Sequence, residues 1–394
     1  MPKVAIIIER ADITLGGAER SVFELASALR QLDFEVDVLA AKGHTNAPSI
    51  RFLCQDLPGK RTSYRLFAKK LKAYLARNYY DIVHSVLPFD FVDIYQPRGG
   101  CFVEAILRNA ASYPGKFIRS YKLLTAFANF RRTWFLLGER KLCKKPDGPV
   151  IAALSQYVAD QFERHYGLDK RRIKIIPNGI KTGTEIDKAK ADVLRRQILA
   201  QLPQSCRRNE PTFFLFAANN FRLKGLAVLL KAMSLAAPVP GQPQPCLIIA
   251  GRGRSGKYRR LAKKLNVHNR LVFLGKLRNI HNVLAMANVA VLPTFYDPCS
   301  RFVLEAIAAG KPVITTRFNG AVDSFVNHLH GEVIDSPNNV RALADAITRF
   351  TDPRHVQQAA TAIERDNLRE NVSISRSARQ FEQLYESIMK NRKC

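Results

Sequence analysis

The sequence predicts an α/β protein made of two open parallel sheets in tandem. Three observations lead there. Residues 4–40 read as strand, loop, helix and strand. A polar stretch at 181–211 then interrupts the apolar patterning, and a second series of alternating strands and helices starts at Phe213. The 394 residues imply two or three domains, and a hydrophobic content of 47% is ample for full-sized cores and excludes a wholly disordered chain.

The opening strand is the apolar run Val4 to Ile8. After a loop with Gly16 and Gly17, Val22, Leu25, Leu29 and Leu32 fall at helical spacing, and Glu35 to Ala40 returns as a strand. Further strands are expected at 81–86, 149–154 and 173–176. The segment 181–211 reads as a helix plus linker ending at Pro203 and Pro211. The second series gives strands at 213–217, 246–250, 271–274, 289–292 and 313–315. Helices are expected at 224–236, 256–266, 280–287 and 301–309, with a last one at 374–391. Ligands of such sheets bind at the carboxyl ends of the strands.

No run approaches the roughly 18 apolar residues of a membrane-spanning helix. Val4 to Ile8 is too short for a secretory signal and is followed at once by Glu9 and Asp12, so a cytosolic protein is expected. The seven cysteines are scattered, odd in number and never form CxxC, which argues against a disulfide framework and a structural zinc site.

The net charge of +29 calls for an anionic partner. It is patchy: segment 98–145 holds 11 basic residues against Glu104 and Glu139, and 252–278 holds ten with no acidic one.

The segment PTFYDPCSRFVLEAIAAGKP, 293–312, carries the sharpest chemistry. Asp297 and Glu305 stand eight positions apart where loop turns into helix, with Ser300 placed to cap it. The first amides of a helix lack internal partners and hold anions such as a diphosphate. Glu305 can accept two hydrogen bonds from a vicinal diol, and Asp297 can do the same for a second polyol. This suits a sugar nucleotide. The alternative is a turn aspartate and a solvated glutamate.

An acidic residue, seven others, then Glu followed by AIAAGKPVITT resembles the signature of the retaining GT-B glycosyltransferases of family 4. CLIIAGRG, NRLVFLGKL, VAVLPTFYD and FRLKGLAVLLKAM resemble the family's C-terminal domain, and GGAERSVFELASAL and IIPNGI its N-terminal domain. LPFDFVDIYQPRGGCF, with the basic insertion after it, is most like the lipopolysaccharide core glucosyltransferase I group. The resemblance implies two Rossmann-like domains facing each other across a deep cleft, retention at the anomeric carbon, and no cofactor or bound metal. The boundaries expected are 1–180, a linker at 181–211, 212–373, and a helix at 374–394 packing back on the first domain. The donor implied is a nucleotide sugar, UDP-glucose foremost, and the acceptor a glycolipid. The location implied is the inner face of the cytoplasmic membrane.

Carried onto this sequence, the resemblance gives Lys224 and Arg222 the leaving diphosphate and Asp297 the donor sugar. Glu305 takes the ribose, and the amides of Ser300, Arg301 and Phe302 cradle phosphate and sugar. Gly16, Gly17 and Gly251 let backbone approach the donor. Gly251 also opens GRGRSG, which matches a dinucleotide fingerprint literally, but no acidic residue follows in 252–278. His84, Asp93 and Arg98 are acceptor-side candidates; a structural histidine at 84 and a turn cap at 93 are the alternatives. Two departures stand out: the family often has Glu at the position of Asp297, and His near that of Arg98.

Phe117, Tyr121, Leu124 and Ala128 form one helical stripe among basic residues. Lys116, Arg119, Lys122, Arg131, Arg132 and the single tryptophan, Trp134, are therefore expected to contact an anionic membrane. A solvated helix packed on the domain is the alternative. The same composition suits RNA, but no nucleic-acid-binding motif is present. A transferase-fold protein without activity, binding anionic membrane or RNA, is the competing functional reading.

Overall fold

Both sheets form from apolar runs covered on two faces. In the computed structural model the described residues are all but 13–16, 45–46, 57–61, 184–186, 237–240, 278 and 393–394, with the side chains of 18, 127 and 188 also left aside. The chain divides into two units, one of residues 1–110, 115–181 and 373–394, the other of 111–114 and 182–372.

The first unit has strands β1 (Lys3–Ala11), β2 (Glu35–Gly43), β3 (Ile50–Phe52), β4 (Ile82–Ser85), β5 (Ile94–Tyr95), β6 (Val150–Ala153) and β7 (Ile173–Ile175). All pair in parallel, in the order β3-β2-β1-β4-β5-β6-β7. Helices α1 (Gly17–Arg30), α2 (Tyr64–Leu75), α3 (Phe102–Ala111), α4 (Lys116–Leu124), α5 (Phe130–Lys144) and α6 (Gln156–Tyr166) connect them. Alternation along β1 sends Val4, Ile6 and Ile8 into one core and Ala5 and Ile7 into another on the opposite face. That double burial is why β1 reads as a continuous apolar run.

The second unit opens with α7 (Lys188–Gln201) and α8 (Gln204–Arg207). Its sheet comprises β8 (Thr212–Ala217), β9 (Pro245–Ala250), β10 (Leu271–Gly275), β11 (Val289–Leu292), β12 (Val313–Thr316) and β13 (Gly331–Ile334). The order is β10-β9-β8-β11-β12-β13, again parallel. Around it lie α9 (Leu226–Leu235), α10 (Gly256–Lys264), α11 (His281–Met286), α12 (Arg301–Ala308), α13 (Val340–Thr351), α14 (Pro353–Arg365) and α15 (Leu368–Asn371). The last helix, α16 (Ile374–Asn391), belongs to the first unit and buries Phe381 and Tyr385 in its core.

Each sheet reverses strand order once, between β1 and β4 and between β8 and β11, the arrangement of Rossmann-like folds. The segment 181–211 differs from the expected linker. From Thr182 on it lies in the second unit, α7 packs against α11, and Ala191, Ile198, Leu202 and Cys206 are buried. Burial of these apolar positions makes it part of a folded unit. Among the described residues no helix is long and apolar enough to cross a membrane, and six cysteines are free and buried.

Candidate active site

At the switch point of the second sheet, the loops after β8, β11 and β12 are tied together. Leu223 O accepts hydrogen bonds from the Phe295 amide (2.9 Å) and from Thr294 Oγ1 (3.3 Å). Gly225 adopts φ +81°, and a Cβ there would collide with the Pro293 carbonyl oxygen. Glycine thus lets the loop after β8 press onto the loop after β11. The Asp297 amide donates to Phe318 O (2.9 Å), and the Gly320 amide donates to Asp297 O (2.8 Å), which fixes the third loop.

Within this frame Lys224 Nζ donates to Asp297 Oδ2 at 2.6 Å and to Tyr296 O at 2.9 Å. The two side chains keep only 19% and 15% exposure. One turn into α12, Glu305 stands 3.6 Å from Arg301, each side chain 12% exposed. This second ion pair lies within the first turn of α12, where helix geometry gives the Phe302 and Val303 amides no intrahelical acceptor. The site joins a cation, two carboxylates and a helix N-terminus, which can hold a diphosphate flanked by hydroxyl-bearing rings.

Ser300 occupies the cap position, but its side chain makes no capping hydrogen bond. Its amide donates to Asn319 Oδ1 (3.2 Å), so this amide is not open to a phosphate as the sequence suggested. Asn319 is fully buried; its Oδ1 also accepts from the Ala321 amide (3.1 Å) and its Nδ2 donates to Thr315 Oγ1 (3.0 Å). Sequence reasoning did not supply this bracing role of Asn319. The signal available was its position just after a strand.

Gly251 adopts φ +133°, and a Cβ there would strike the Ala218 carbonyl oxygen, so its glycine brings β9 and the loop after β8 close together. The Arg222 guanidinium lies 3.7 Å from the Tyr113 ring centroid and donates to Ser112 Oγ, both in the short segment assigned to the second unit. Burial lowers its pKa. In this structure the Arg222 guanidinium is thus engaged by Tyr113 and Ser112.

In the first unit, Gly17 is the exposed first residue of α1, and Gly16 lies outside the described residues. His84 corrects the acceptor-side expectation. It is fully buried beneath α16, with Nδ1 2.7 Å from the Tyr385 hydroxyl and its ring 4.9 Å from that of Phe381. Asp93 likewise serves structure: Oδ2 accepts from the Val83 amide (2.7 Å) and Oδ1 pairs with Arg392. Arg98 donates to Ser21 Oγ on α1 and reaches Asn178 Oδ1 at 3.5 Å, beside the first turn of that helix.

The basic segment splits. Helix α4 buries no residue, and Phe117, Tyr121 and Leu124 are 93%, 60% and 80% exposed, with Lys116, Arg119 and Lys122 on the same helix. On α5, Arg131 pairs with Glu9 and lies over Phe135, and the Arg132 amide is capped by Asn129. Trp134 is half-buried under the Arg65 guanidinium, 3.7 Å from its ring centroid. Arg131 and Trp134 are thus engaged within the unit and do not extend the exposed stripe of α4.

Residues 15–184 match the family model described as Glycosyltransferase Family 4, and residues 200–371 match the one described as Glycosyl transferases group 1. The chain belongs to glycosyltransferase family 4. It is 23% identical over 337 residues to the lipopolysaccharide glucosyltransferase WaaG of Escherichia coli, covering 85% of this chain and 86% of WaaG. The crystal structure of WaaG, a glycosyltransferase involved in lipopolysaccharide biosynthesis, has a TM-score of 0.66 at 19% identity over 98% of each chain. Sucrose-phosphate synthase of Thermosynechococcus elongatus gives 0.73 at 21% identity over 99% of this chain and all of the other. Anabaena HepE, solved with UDP-glucose, gives 0.67 at 17% identity over 98% of this chain and 99% of its own. The fold of this family 4 chain is GT-B.

Proposed function

We propose that this chain is a retaining glycosyltransferase that moves a hexose, glucose foremost, from a UDP-sugar to a membrane-associated glycolipid such as the lipopolysaccharide core. The observation that carries this reading is the pairing of Lys224 with Asp297, shortly before α12 in sequence, and of Arg301 with Glu305 in the first turn of that helix. Support also comes from the names of its relatives: WaaG is a lipopolysaccharide glucosyltransferase, and HepE is solved with UDP-glucose.

The amides of Phe302 and Val303 and the Lys224 ammonium hold the diphosphate, and Lys224 neutralises the charge that develops as it leaves. Glu305 accepts the ribose hydroxyls, and Asp297 accepts a hydroxyl of the donor sugar. The glycosidic C1–O bond to the diphosphate breaks as the acceptor oxygen bonds to C1 on the same face. The acceptor proton goes to the departing phosphate oxygen, so no protein nucleophile is needed. Lys224 supplies a fixed positive charge, and turnover is expected to persist in a chelator. The exposed aromatic face of α4, flanked by its basic residues, is the membrane contact.

Mass spectrometry of products from a panel of UDP-sugars with a lipopolysaccharide-core acceptor tests the reaction. A hexose added with α-configuration from an α-linked donor is expected; an inverted product or none from any donor sinks it. Flotation with neutral and anionic vesicles tests the membrane contact, and equal binding to both sinks its electrostatic part.

A further inference from the structure

The first unit contains a concavity of about 420 Å³ that none of Lys224, Asp297, Arg301 and Glu305 lines. Its walls come from two helices at helical spacing. Helix α2 contributes Tyr64, Arg65, Ala68, Lys69 and Lys72, and α5 contributes Trp134, Leu137, Gly138 and Lys141. The close approach of the helices depends on Gly138, where a Cβ would meet the Tyr64 hydroxyl and Pro88 O. The floor is aromatic. Tyr64 stacks on Phe89 (5.0 Å, 19°), and Phe89 stacks on Phe91 (5.1 Å, 29°).

The rim is cationic. Arg65, Lys69, Lys72 and Lys141 face a single carboxylate, Asp90, and Lys141 already pairs with it at 2.8 Å. Lys72 also acts on Asp90 and lies 4.7 Å from the Phe91 ring centroid, which leaves Arg65 and Lys69 without a carboxylate among the lining residues. A pocket of this size with an apolar floor and a few convergent charges is the usual form of a small-molecule site. The charge selects an anion, and the Arg65 fork suits phosphate. The floor rings stack on one another, and Arg65 covers a face of Trp134, so no gap between parallel rings is offered to a flat base. Ring edges and half-covered faces instead fit the C–H surface of a pyranose.

We infer that this pocket between α2 and α5 is a binding site for a phosphorylated sugar. The site does not rest on the proposed transferase reaction, for which Lys224, Asp297 and Glu305 lie in the second unit. It also gives Trp134 a role that the membrane reading does not.

Trp134 is the only tryptophan of the chain, so its fluorescence reports on this pocket alone. Titration of the full chain with glucose 6-phosphate is expected to give a saturable change at millimolar concentration or below. Glucose and inorganic phosphate, each alone, should bind at least about tenfold more weakly. Lys69→Glu with Lys72→Glu should weaken the response at least about tenfold while leaving stabilisation by UDP unchanged. No saturable response, an equal response to phosphate alone, or full binding by the double variant overturns the site. Loss of the UDP response with an intact Trp134 signal would instead count against the donor site only. Phosphatidylcholine vesicles with and without a phosphorylated glycolipid identify the source. A tighter response to the glycolipid vesicles than to the soluble sugar makes the ligand a lipid headgroup, and a weaker one makes it a free sugar phosphate.

Discussion

Lys224 and Asp297, 73 positions apart, meet at 2.6 Å across the switch point of the second sheet. The carboxylate holds the ammonium while Tyr296 O takes a second of its protons, so the cation is aimed before any diphosphate arrives. Such preorganisation is what makes a fixed charge effective as negative charge develops on a leaving group.

Lys224→Ala should therefore lower kcat/KM by at least about tenfold, about 1.4 kcal/mol, and also weaken stabilisation by UDP. Asp297→Asn keeps the shape but loses the charge, and should lower kcat more than it weakens UDP. Steady-state kinetics beside thermal shifts with UDP separate the two. Near-wild-type turnover for either variant would remove that residue from its role.

Asn319 braces the same site from below. Asn319→Ala leaves the buried Ser300 and Ala321 amides without their acceptor, at about 1–3 kcal/mol for each group left unpaired. The expected result is a lower Tm together with a weaker response to UDP, since Ser300 begins α12. A lower Tm with unchanged UDP affinity would make Asn319 purely structural.

Gly225 and Gly256 give a matched contrast. At Gly225 a side chain meets the Pro293 carbonyl at a positive φ; at Gly256, the last glycine of GRGRSG, nothing lies within 4 Å. Gly225→Ala should cost at least about 1–3 kcal/mol and depress activity, because it pushes apart the loops that bring Lys224 to Asp297. Gly256→Ala should be near neutral in Tm and in turnover. Equal effects for the two would contradict the packing role of Gly225.

Much of the second unit was legible because β8, β9 and β11 are apolar runs buried on both faces, and each announces itself locally. Strands β5 and β13 do not: β5 has only two residues, and β13, as short as β11, carries Gly331 and Glu332 where β11 is wholly apolar and buried. Lys224, Asp297 and Glu305 were each legible from charge beside a strand end or helix start. The pairing of Lys224 with Asp297 was not, because it depends on loops that only the sheet order brings together. His84 misled for the same reason. A histidine at a strand end reads as open to ligand, and nothing near it in sequence reveals that Tyr385, 301 positions later, closes over it. Trp134 was read by its neighbours in sequence, whereas its real neighbour is Arg65 on another helix.

The buried His84 makes a pH prediction. Burial, and then the charge of Arg98, lowers its pKa from 6.5 to about 3. The native state keeps the ring neutral while the unfolded chain takes up a proton below 6.5. This contribution to stability is thus complete above pH 6.5 and is lost as pH falls toward 3, at up to about 1.4 kcal/mol per pH unit. His84→Phe should flatten the acid side of the Tm profile. A slope equal to that of the wild type between pH 6.5 and 4.5 would show that His84 does not titrate on unfolding.

Glu139 acts with the opposite sign. It is fully buried, and burial raises its pKa from 4.5 to about 7 even though the Phe102 amide (2.8 Å) and the hydroxyls of Tyr166 (2.8 Å) and Tyr95 (3.0 Å) donate to it. The native carboxyl keeps its proton where the unfolded one has released it. Its contribution is therefore full below pH 4.5 and is lost as pH rises through 7, again at up to about 1.4 kcal/mol per pH unit. Between pH 4.5 and 6.5 it opposes His84, so the wild-type profile there should be flatter than either group alone would make it. Glu139→Gln removes the titration but retains a carbonyl acceptor. Relative to the wild type, this variant should gain stability steadily from pH 5 to 7.5, as read by denaturant unfolding at each pH. A constant difference across that range would mean that the carboxylate is already ionised at pH 5 and that its three donors outweigh its burial.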